Sequence, residues 1–441
     1  MKFELAKSNA ILNAHSGLVL AGSLLCKTDL SNRLNQVQLE SDKEFEISNA
    51  DVAFSYLGLL CQGKSDYDDI EPFRRDQFFH QAMNIKRVPS SPTLRQRLDS
   101  FSESSWGQSL CDSSIEMLKS VNVKLTPAIR NLIPLDTDVS PFDNSGSHKE
   151  GVERTYKDVD GYAPIFFYLG KEGYMINQEL RAGSTHSQTK GTTALLKRTI
   201  GYARQITPAP LLFRLDAAHD SLDNILLFQQ SDGVEHIIKH NLRTEPKESW
   251  LYIAKDVGDL QEPRPGKKVW IGDCIVELER DNITYFVRAV FRVIERTIDK
   301  HGQQLLIPEL EVDVWYTSLP DAPQTIIALY QEHGTMEQFH SEFKTELDLE
   351  RLPSGKFATN ALVLDFGMLA YNMLRLIGQE SLNVEQQPLR KKVQRRRIRT
   401  VIQNIIMMAS RLVYHGRRWK LSFGKHSPWF PIFEHIYLQF A

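Results

Sequence analysis

The pattern of apolar and polar positions divides the chain into regions with different predicted secondary structure. In the N-terminal part, short amphipathic runs such as residues 51–62 alternate with polar segments such as GKSDYDD and KRVPSSP. Apolar residues three and four positions apart lie on one face of a helix, so these runs predict helices. In SSPTLRQRLDS, Ser91 or Thr93 is placed to cap a helix whose first turn contains Pro92. We therefore predict a helical domain at residues 1–130.

The pattern changes at residue 131, where alternating apolar and polar residues predict strands. LIPLDTDVS, APIFFYLG and YMINQELR predict three antiparallel strands, and a run with the helical period follows at residues 189–204. LLFRLDA and VEHIIKH predict two further strands, separated by a short helical segment at residues 219–229. Three strands, helix, strand, helix and strand is the order of elements in an RNase H-like core. We assign residues 131–244 to the first part of such a core.

Further strand-like segments come before the last helix of this core. WLYIAKD, KKVWIGDCIVELE, TYFVRAVFRVIERT and LLIPELEVDVWYTSL are joined by turn residues such as PRPGKK and DKHGQQ. They predict an inserted antiparallel β subdomain at residues 245–318. The remaining core helix is predicted within residues 319–355, and residues 356–441 are predicted to be helical. The expected fold class is α/β: an RNase H-like mixed sheet with an inserted β subdomain, flanked by helical N- and C-terminal regions.

Composition narrows the class of protein without defining its function. A chain of 441 residues with 41% hydrophobic and 24% charged residues is typical of a globular protein with two or three domains. No segment reaches the roughly 18 apolar residues of a membrane span, and the start lacks a signal-peptide pattern, so we expect a cytoplasmic protein without a membrane partner. The cysteines are far apart, which favours buried thiols over a zinc ribbon or disulfides. They are Cys26, Cys61, Cys111 and Cys274.

Charge is distributed unevenly along the chain. The net charge is -2, yet residues 390–399 read RKKVQRRRIR. Four more basic residues follow: Arg411, Arg417, Arg418 and Lys420. Such a run fits either a solvated helix face or a surface that contacts phosphates, and both interpretations stay open at this point.

Four polar residues have helical spacing in the predicted last core helix. Tyr330, His333, Glu337 and Lys344 are separated by three, four and seven positions. On a helix they would lie within about 60° of one another and form one polar stripe. A stripe of this kind suits the binding of a metal ion and a phosphate backbone, although a solvated helix face has the same spacing.

Aspartates supply candidate ligands on the strands. Asp136 and Asp138 share one face of the first strand, and Asp216 ends the fourth. One carboxylate each from the first strand, the fourth strand and the last helix is the set that an RNase H-like nuclease brings together, although each alone would also fit a turn or a cap. The chain lacks GxxxxGK[ST] and GxSxG patterns, which argues against a P-loop and a serine hydrolase.

These residues resemble a known family. The spacing from Tyr330 to Lys344 is similar to the Y-x2-R-x3-E-x6-K motif of the DDE transposases that a large group of bacterial insertion sequences encodes. LDTDVS resembles their first-aspartate segment, RLDAAHDS resembles their second, and a β insertion before the glutamate is typical of the group. The resemblance covers nearly the whole chain, including SYLGLLCQGKSDYDDIEPFRRD and the basic C-terminal run.

The resemblance implies that Asp138, Asp216 and Glu337 form the catalytic triad and bind the metal, with Asp136 as the alternative first aspartate. The implied cofactor is Mg²⁺ or Mn²⁺, with two ions per active site, since hard cations prefer carboxylate oxygens. Two such ions can activate a nucleophile and stabilise the leaving oxygen of an in-line displacement. Water as nucleophile would cut DNA, and a 3′-hydroxyl would join it.

Other residues are expected to contact DNA. The resemblance places Tyr330 and Lys344 at phosphates of the transposon end, with His333 where the family has arginine. This change replaces a permanently charged bidentate group by a titratable one; Ser140 in place of threonine is a milder departure. Trp315 either stacks on a flipped base or packs in the core. The basic run is expected to add DNA contacts at Arg395, Arg396 and Arg397.

The implied function is cut-and-paste DNA transposition, by metal-dependent strand cleavage at transposon ends and strand transfer to target DNA. The implied partners are double-stranded DNA with terminal inverted repeats, target DNA, and a second copy of the chain in the DNA-bound complex. Two alternatives share the fold: an RNase H-like nuclease without transposition, and a catalytically silent DNA-binding derivative. The basic run and the polar stripe favour transposition, because holding paired DNA ends requires extensive phosphate contact.

Overall fold

The computed structural model is a mixed α/β protein, and it describes residues 2–38, 45–185, 191–243, 245–385, 387–389 and 393–440. Residues 189–190 of the predicted helical run and residues 390–392 of the basic run lie outside this part. The N-terminal region has one short strand and six α-helices among its described residues. These are β1 (Ile11–Asn13), α1 (Leu18–Leu25), α2 (Leu30–Gln36), α3 (Asn49–Leu60), α4 (Gln77–Ala82), α5 (Ser91–Phe101) and α6 (Trp106–Ser120).

The cap of α5 differs from its prediction by one residue. Ser90, rather than Ser91 or Thr93, is the N-cap, and its side chain accepts a hydrogen bond from the backbone N–H of Thr93 at 3.3 Å. The hydroxyl of Ser91 is turned to Asp68 instead. Pro92 lies in the first turn, where its missing N–H leaves no hydrogen bond unmade.

Strands dominate the central region and alternate with helices after the first three long strands. Its elements are β2 (Ile133–Val139), β3 (Phe142–Asp143), β4 (Glu153–Arg154), β5 (Asp160–Tyr162), β6 (Ile165–Leu169), β7 (Tyr174–Glu179), α7 (Thr192–Ile206), β8 (Leu211–Leu215), α8 (Leu222–Gln229) and β9 (Val234–Lys239). In the large sheet these strands lie in the order β7, β6, β2, β8, β9. β2, β8 and β9 are parallel, and β6 is antiparallel to β2. The ends of β2 and β8 therefore point in the same direction.

The next region extends this sheet rather than forming a separate one. Its elements are α9 (Lys247–Val257), β10 (Asp259–Arg264), β11 (Lys267–Arg280), β12 (Ile283–Ile298) and β13 (Gln304–Thr317). β13 pairs with β9 through Trp315 and Lys239, and the sheet contains nine strands among the described residues. The region predicted as an inserted subdomain is thus continuous, through backbone hydrogen bonds, with the central strands.

The prediction of a strand for WLYIAKD is wrong, because this segment lies in α9. Trp250 and Ala254 are its buried residues, and their spacing of four is the helical period. Glu248 lies in the first turn and Lys255 in the last, where each charge is favourable to the helix dipole. The segment therefore forms a helix, although its short apolar run also fits the pattern of a strand.

The last part of the chain carries the helix of the polar stripe and a small sheet. Its elements are α10 (Pro323–Gln331), α11 (Met336–Ser341), α12 (Phe357–Glu380), α13 (Ile398–Val401), β14 (Ser410–His415), β15 (Arg418–Phe423) and α14 (Phe430–Phe440). α12 is long and apolar enough to cross a membrane, but 89% of that apolar window is buried inside the protein. It packs against α6 and β7 as a central core helix.

The prediction that residues 356–441 are helical is wrong for the β14–β15 hairpin. Gly416 and Arg417 both have positive φ, at 59° and 62°, which is the requirement of a two-residue type I′ turn. Tyr414 and Trp419 face each other across the strands, with ring centroids 4.7 Å apart. β14 also pairs with β1, so the hairpin joins the two ends of the chain in one small sheet.

Candidate active site

Asp138 and Asp216 come together at one end of the large sheet. β2 and β8 are parallel neighbours in which Thr137 lies beside Leu215, so the next residue of each chain segment is an aspartate. Their side chains are 26% and 38% exposed, respectively. We name this pair the acidic edge. It provides two carboxylates that solvent and a substrate can reach, as the sequence predicts for an active site.

The carboxylate of Asp138 accepts one backbone hydrogen bond and has a histidine beside it. The backbone N–H of Val139 donates to its Oδ1 at 2.7 Å, and Nε2 of His340 lies 3.5 Å from its Oδ2. Burial opposes ionisation, but these contacts hold the pKa of Asp138 below its ordinary value. Burial lowers the pKa of His340, although the neighbouring Asp138 opposes this shift. Its Nδ1 lies 3.4 Å from the hydroxyl of Tyr168, which leaves Nε2 to face Asp138.

Asp216 has a different local role, as the cap of a short helical turn at Ala217–His219. Its Oδ1 accepts hydrogen bonds from the backbone N–H of Ala218 at 3.2 Å and from Nδ1 of His219 at 2.7 Å. A cap of this kind fixes the direction of the side chain at the strand end. One oxygen of Asp216 is thus held by the fold, and its side chain stays partly open to solvent.

Asp136 lies in the interior and is already paired. Its two oxygens accept hydrogen bonds from Nε and Nη2 of Arg214, both at 2.7 Å, and Oδ1 is also 2.9 Å from Nδ1 of His333. Nη1 of Arg214 donates to the carbonyl of Leu329 at the end of α10. We name Asp136, Arg214 and His333 the buried network. Burial would raise the pKa of Asp136, but Arg214 and His333 lower it below its ordinary value.

The residues of the predicted polar stripe do not share one continuous face. A 3-10 turn at Glu332–Thr335 separates α10 from α11, and a π turn at Glu342–Glu346 follows α11. His333 is buried in the network with Asp136, whereas Glu337 is exposed in the first turn of α11. The expected phosphate contact of His333 stays a prediction, and in this structure its imidazole bonds to the buried carboxylate of Asp136.

Tyr330 and Lys344 lie near the residues of the acidic edge. Burial raises the pKa of Tyr330, and the charges of Asp216 and Asp138 raise it further, which places this hydroxyl within the electrostatic reach of both aspartates. Nζ of Lys344 donates to the carbonyl of Pro141, just beyond β2. Burial lowers the pKa of Lys344 to about 8. Both side chains are only partly buried, so phosphate contact stays a prediction for each.

Two of the three predicted metal ligands lie together, and the third does not join them in this conformation. Asp138 and Asp216 have the partly free oxygens that Mg²⁺ or Mn²⁺ requires. Within the described residues, however, no group of three or more acidic, histidine or cysteine side chains is close enough to hold a metal ion. Metal binding by Asp138, Asp216 and Glu337 therefore stays a prediction.

The basic run separates into residues with different environments. Arg395 lies over the ring of Phe339 and donates to Gln338, which fixes it against α11. Arg396 is buried and bonds to Ser381 and Gln387. Arg397 is exposed, although its Nε donates to Glu346 at 2.6 Å. The prediction of a DNA-facing run is corrected for Arg396, because its buried guanidinium supports the packing of the C-terminal region.

Trp315 packs in the core. It is 2% exposed, within a second apolar cluster between the sheet and α10, and its ring is 5.8 Å from that of Tyr330. Of the two predicted roles for Trp315, core packing is the one that this structure shows. Stacking on a base would require Trp315 to leave this cluster.

The sequence did not draw attention to several residues around the acidic edge. Arg214 precedes Asp216 by two positions on β8, and His340 follows Glu337 by three positions, so the periods of strand and helix were available signals. Tyr156 and Arg154 come from the β4–β5 segment, whose short strands have no clear period. Only the fold brings that segment beside the ends of β2 and β8.

A mixed sheet with two partly exposed aspartates at adjacent strand ends fits the class of enzymes that use carboxylates for phosphoryl transfer. The family model described as transposase DDE domain group 1 matches residues 4–441, and the chain belongs to this family of transposases. No curated protein sequence matches the chain. Seven chains of solved structures match it. One is the piggyBac transposase in a synaptic complex with hairpin DNA, at 13% identity, with 90% of this chain and 80% of that chain covered and a TM-score of 0.43.

Proposed function

We propose that this protein is the transposase of a bacterial insertion sequence and catalyses cut-and-paste transposition of DNA. The observation that carries the proposal is the acidic edge, where Asp138 and Asp216 are presented together on a fold whose chain belongs to a DDE transposase family. The strand order β7, β6, β2, β8, β9 supports an RNase H-like core. The substrates would be the ends of an element with terminal inverted repeats, and then a target DNA.

In this proposal Asp138 and Asp216 would hold divalent ions, Mg²⁺ or Mn²⁺, with Glu337 as the third ligand of a two-ion site. Bound ions would supply activation of the nucleophile and stabilisation of the leaving oxygen. The chain itself orients the carboxylates, through the N–H of Val139 on Asp138 and the cap geometry of Asp216. Tyr330 and Lys344 would bind phosphates beside them.

The buried network supports this site without contacting DNA. Arg214 bonds to Asp136 on β2 and to the carbonyl of Leu329 in α10, so it links the strand of the first aspartate to the helical segment that precedes Glu337. A fixed relation between these two elements is what a site made from both requires. We propose that pairing of two protein copies with two DNA ends completes the active complex, in the cytoplasm.

The proposal is tested with DNA that carries the inverted repeats bracketing the gene. Asp138→Asn, Asp216→Asn and Glu337→Gln each remove a ligand charge at constant volume. Cleavage in Mg²⁺ should fall by more than about 100-fold, since losing even a partner of a metal ligand typically costs about 10- to 100-fold. Binding to the same DNA in Ca²⁺ should stay near that of the wild type. Asp281→Asn, in an exposed turn of the β11–β12 hairpin, is the matched control and should cleave normally.

The outcomes separate the proposed function from its alternatives. Cleavage without joining of the ends to a second DNA would indicate a nuclease. Binding without cleavage by the wild type would indicate a silent derivative. Cleavage by Glu337→Gln at the rate of the wild type would remove Glu337 from the site, and full activity of Asp216→Asn would refute the acidic edge as the active site.

A further inference from the structure

A large cavity opens beside Asp216, at the ends of β2 and β8. Its volume is about 850 Å³, within the range of roughly 300–1,000 Å³ that is common for sites enclosing small ligands. Its wall combines Asp216 with Arg154, Tyr156, Asn241 and Arg243. One acidic residue of the candidate active site thus shares a cavity with two cationic side chains and one aromatic ring.

Tyr156 presents its ring to solvent from a fixed position. The residue is 65% exposed, yet its hydroxyl donates to the backbone carbonyl of Val139 at 3.0 Å, directly after Asp138. Burial of the hydroxyl end, together with the charges of Asp138 and Asp216, raises the pKa of Tyr156. The hydroxyl therefore stays protonated and anchored to the end of β2. Because the ring is already fixed, it loses little conformational freedom when a flat ligand packs on it.

The cationic side chains of the cavity are free to exchange partners. Arg154 forms ion pairs with Asp158 and Asp160, but all three side chains are more than half exposed, and such surface pairs are weak. Arg243 is exposed as well. Nζ of Lys157 lies 5.8 Å from the centre of the Tyr156 ring and adds positive charge near the same wall. An anionic group entering the cavity would find several cations.

We propose that this cavity receives one unpaired nucleotide of the DNA strand that reacts at the acidic edge, with its base on the ring of Tyr156 and its phosphate at Arg154 and Arg243. An aromatic ring with flanking cations is the combination that binds single-stranded nucleic acid. The position next to Asp216 places the neighbouring phosphodiester at the carboxylates. Tyr156, rather than the buried Trp315, is then the aromatic residue that contacts a base. The inference rests on the proposed function.

The test uses fluorescence anisotropy with labelled dT8 and with an abasic strand of the same length, both in Ca²⁺. Tyr156→Ala should weaken binding of dT8 by roughly five- to 150-fold, the range expected for one base–aromatic stack. It should leave binding of the abasic strand unchanged, because the phosphate contacts remain. Tyr156→Phe should regain most of the lost affinity for dT8. Tyr252→Ala removes another exposed tyrosine ring, on α9, and should bind both strands as the wild type does.

Equal effects of Tyr156→Ala on dT8 and on the abasic strand would overturn the proposal, because the loss would not depend on a base. So would a loss of the same size in Tyr252→Ala. A wild-type protein that cleaves its inverted-repeat DNA but binds dT8 no better than the abasic strand would refute this proposal alone. Failure of the wild type to bind or cleave any DNA would refute the proposed function as well. Thermal unfolding of each variant checks that the fold is intact.

Discussion

Two neighbouring regions at the end of the large sheet use similar charged residues in opposite ways. In the buried network, Asp136 is 2% exposed and bonds to both Arg214 and His333. In the acidic edge, two residues further along β2, Asp138 keeps a quarter of its side chain exposed beside Asp216. In the buried network, the carboxylate oxygens of Asp136 bond to protein groups. In the acidic edge, the carboxylates of Asp138 and Asp216 stay partly open to solvent.

The difference shows that depth of burial gives two nearby carboxylates different functions. A buried carboxylate must be paired, because an isolated charge in the interior costs several kcal/mol, on the order of the stability of the whole domain. A carboxylate that is to bind a cation must instead keep free oxygens. The spacing of two puts Asp136 and Asp138 on one face, and their depth in the sheet separates their roles. We therefore propose Asp138, rather than Asp136, as the first aspartate of the active site.

The largest effect on stability is expected from breaking the buried network. Asp136→Asn leaves the guanidinium of Arg214 buried without its counter-charge, which should lower the free energy of unfolding by about 3–5 kcal/mol. Because folding lowers the pKa of Asp136, its ionised form stabilises the fold above about pH 4, and this stabilisation is lost as the pH falls below that value. Denaturant unfolding of both proteins at pH 7 and pH 3 measures the difference, which should shrink at the lower pH.

Two controls sharpen this prediction. Asp136→Leu combined with Arg214→Met replaces both partners by apolar groups and should recover much of the stability. Asp223→Asn breaks an ion pair with Arg280 at the surface and should leave the unfolding midpoint nearly unchanged. A midpoint for Asp136→Asn that equals that of Asp223→Asn would show that the network does not stabilise the fold.

A smaller effect is expected in the pH dependence of DNA binding. In this structure Lys344, rather than His333, is the group whose titration should cause it. His333 bonds to Asp136, whereas Lys344 has a pKa of about 8, lowered by burial. A phosphate would favour its charged form, so binding in Ca²⁺ should weaken by up to about 10-fold between pH 7 and pH 9, the limit for one proton. Lys344→Arg stays charged and should lose most of this dependence. An unchanged pH profile in Lys344→Arg would exclude Lys344 as a phosphate contact.

The smallest effect is expected in the basic run, where exposure again separates two neighbours. Arg397→Ala should lower the slope of log K against log salt by about 1, as removal of one phosphate contact does. Arg396→Ala should leave that slope unchanged and lower the thermal unfolding midpoint, because Arg396 is buried against Ser381 and Gln387. A changed salt slope in Arg396→Ala but not in Arg397→Ala would reverse this assignment.

The central strands were predictable because each has both a period and a boundary signal. β2, β6, β7, β8 and β9 each fall within a segment whose apolar pattern predicted a strand, and β11, β12 and β13 extend beyond theirs by one or two residues. The segment now assigned to α9 failed, since seven residues of mixed pattern fit either period until Trp250 and Ala254 are seen to be buried. The β14–β15 hairpin was missed because its basic residues suggested a helix face and concealed the turn at Gly416 and Arg417.

For the site, spacing predicted which side chains could share a face, but not how deeply each would be buried. Asp138 and Asp216 meet because parallel pairing of β2 with β8 follows from the order of strands, which the sequence already indicates. Whether Glu337 joins them depends on the 3-10 and π turns that interrupt its helix, and local spacing carries no signal for those interruptions. The cavity at Tyr156 could not be predicted at all, since its wall comes from segments far apart in the chain.

The sequence by itself determined the class of fold, the carboxylates available and the family of the chain, because periodicity and motif spacing are local properties. Only the tertiary structure decided that Asp136 is a buried partner of Arg214 while Asp138 is open, and that Arg396 is packed while Arg397 is exposed. The physical reason is that ion pairing and burial depend on which side chains distant segments bring to one place. The sequence shows the same type of charged residue in both environments. Its neighbours in the fold determine whether it stabilises the protein or is available to a ligand.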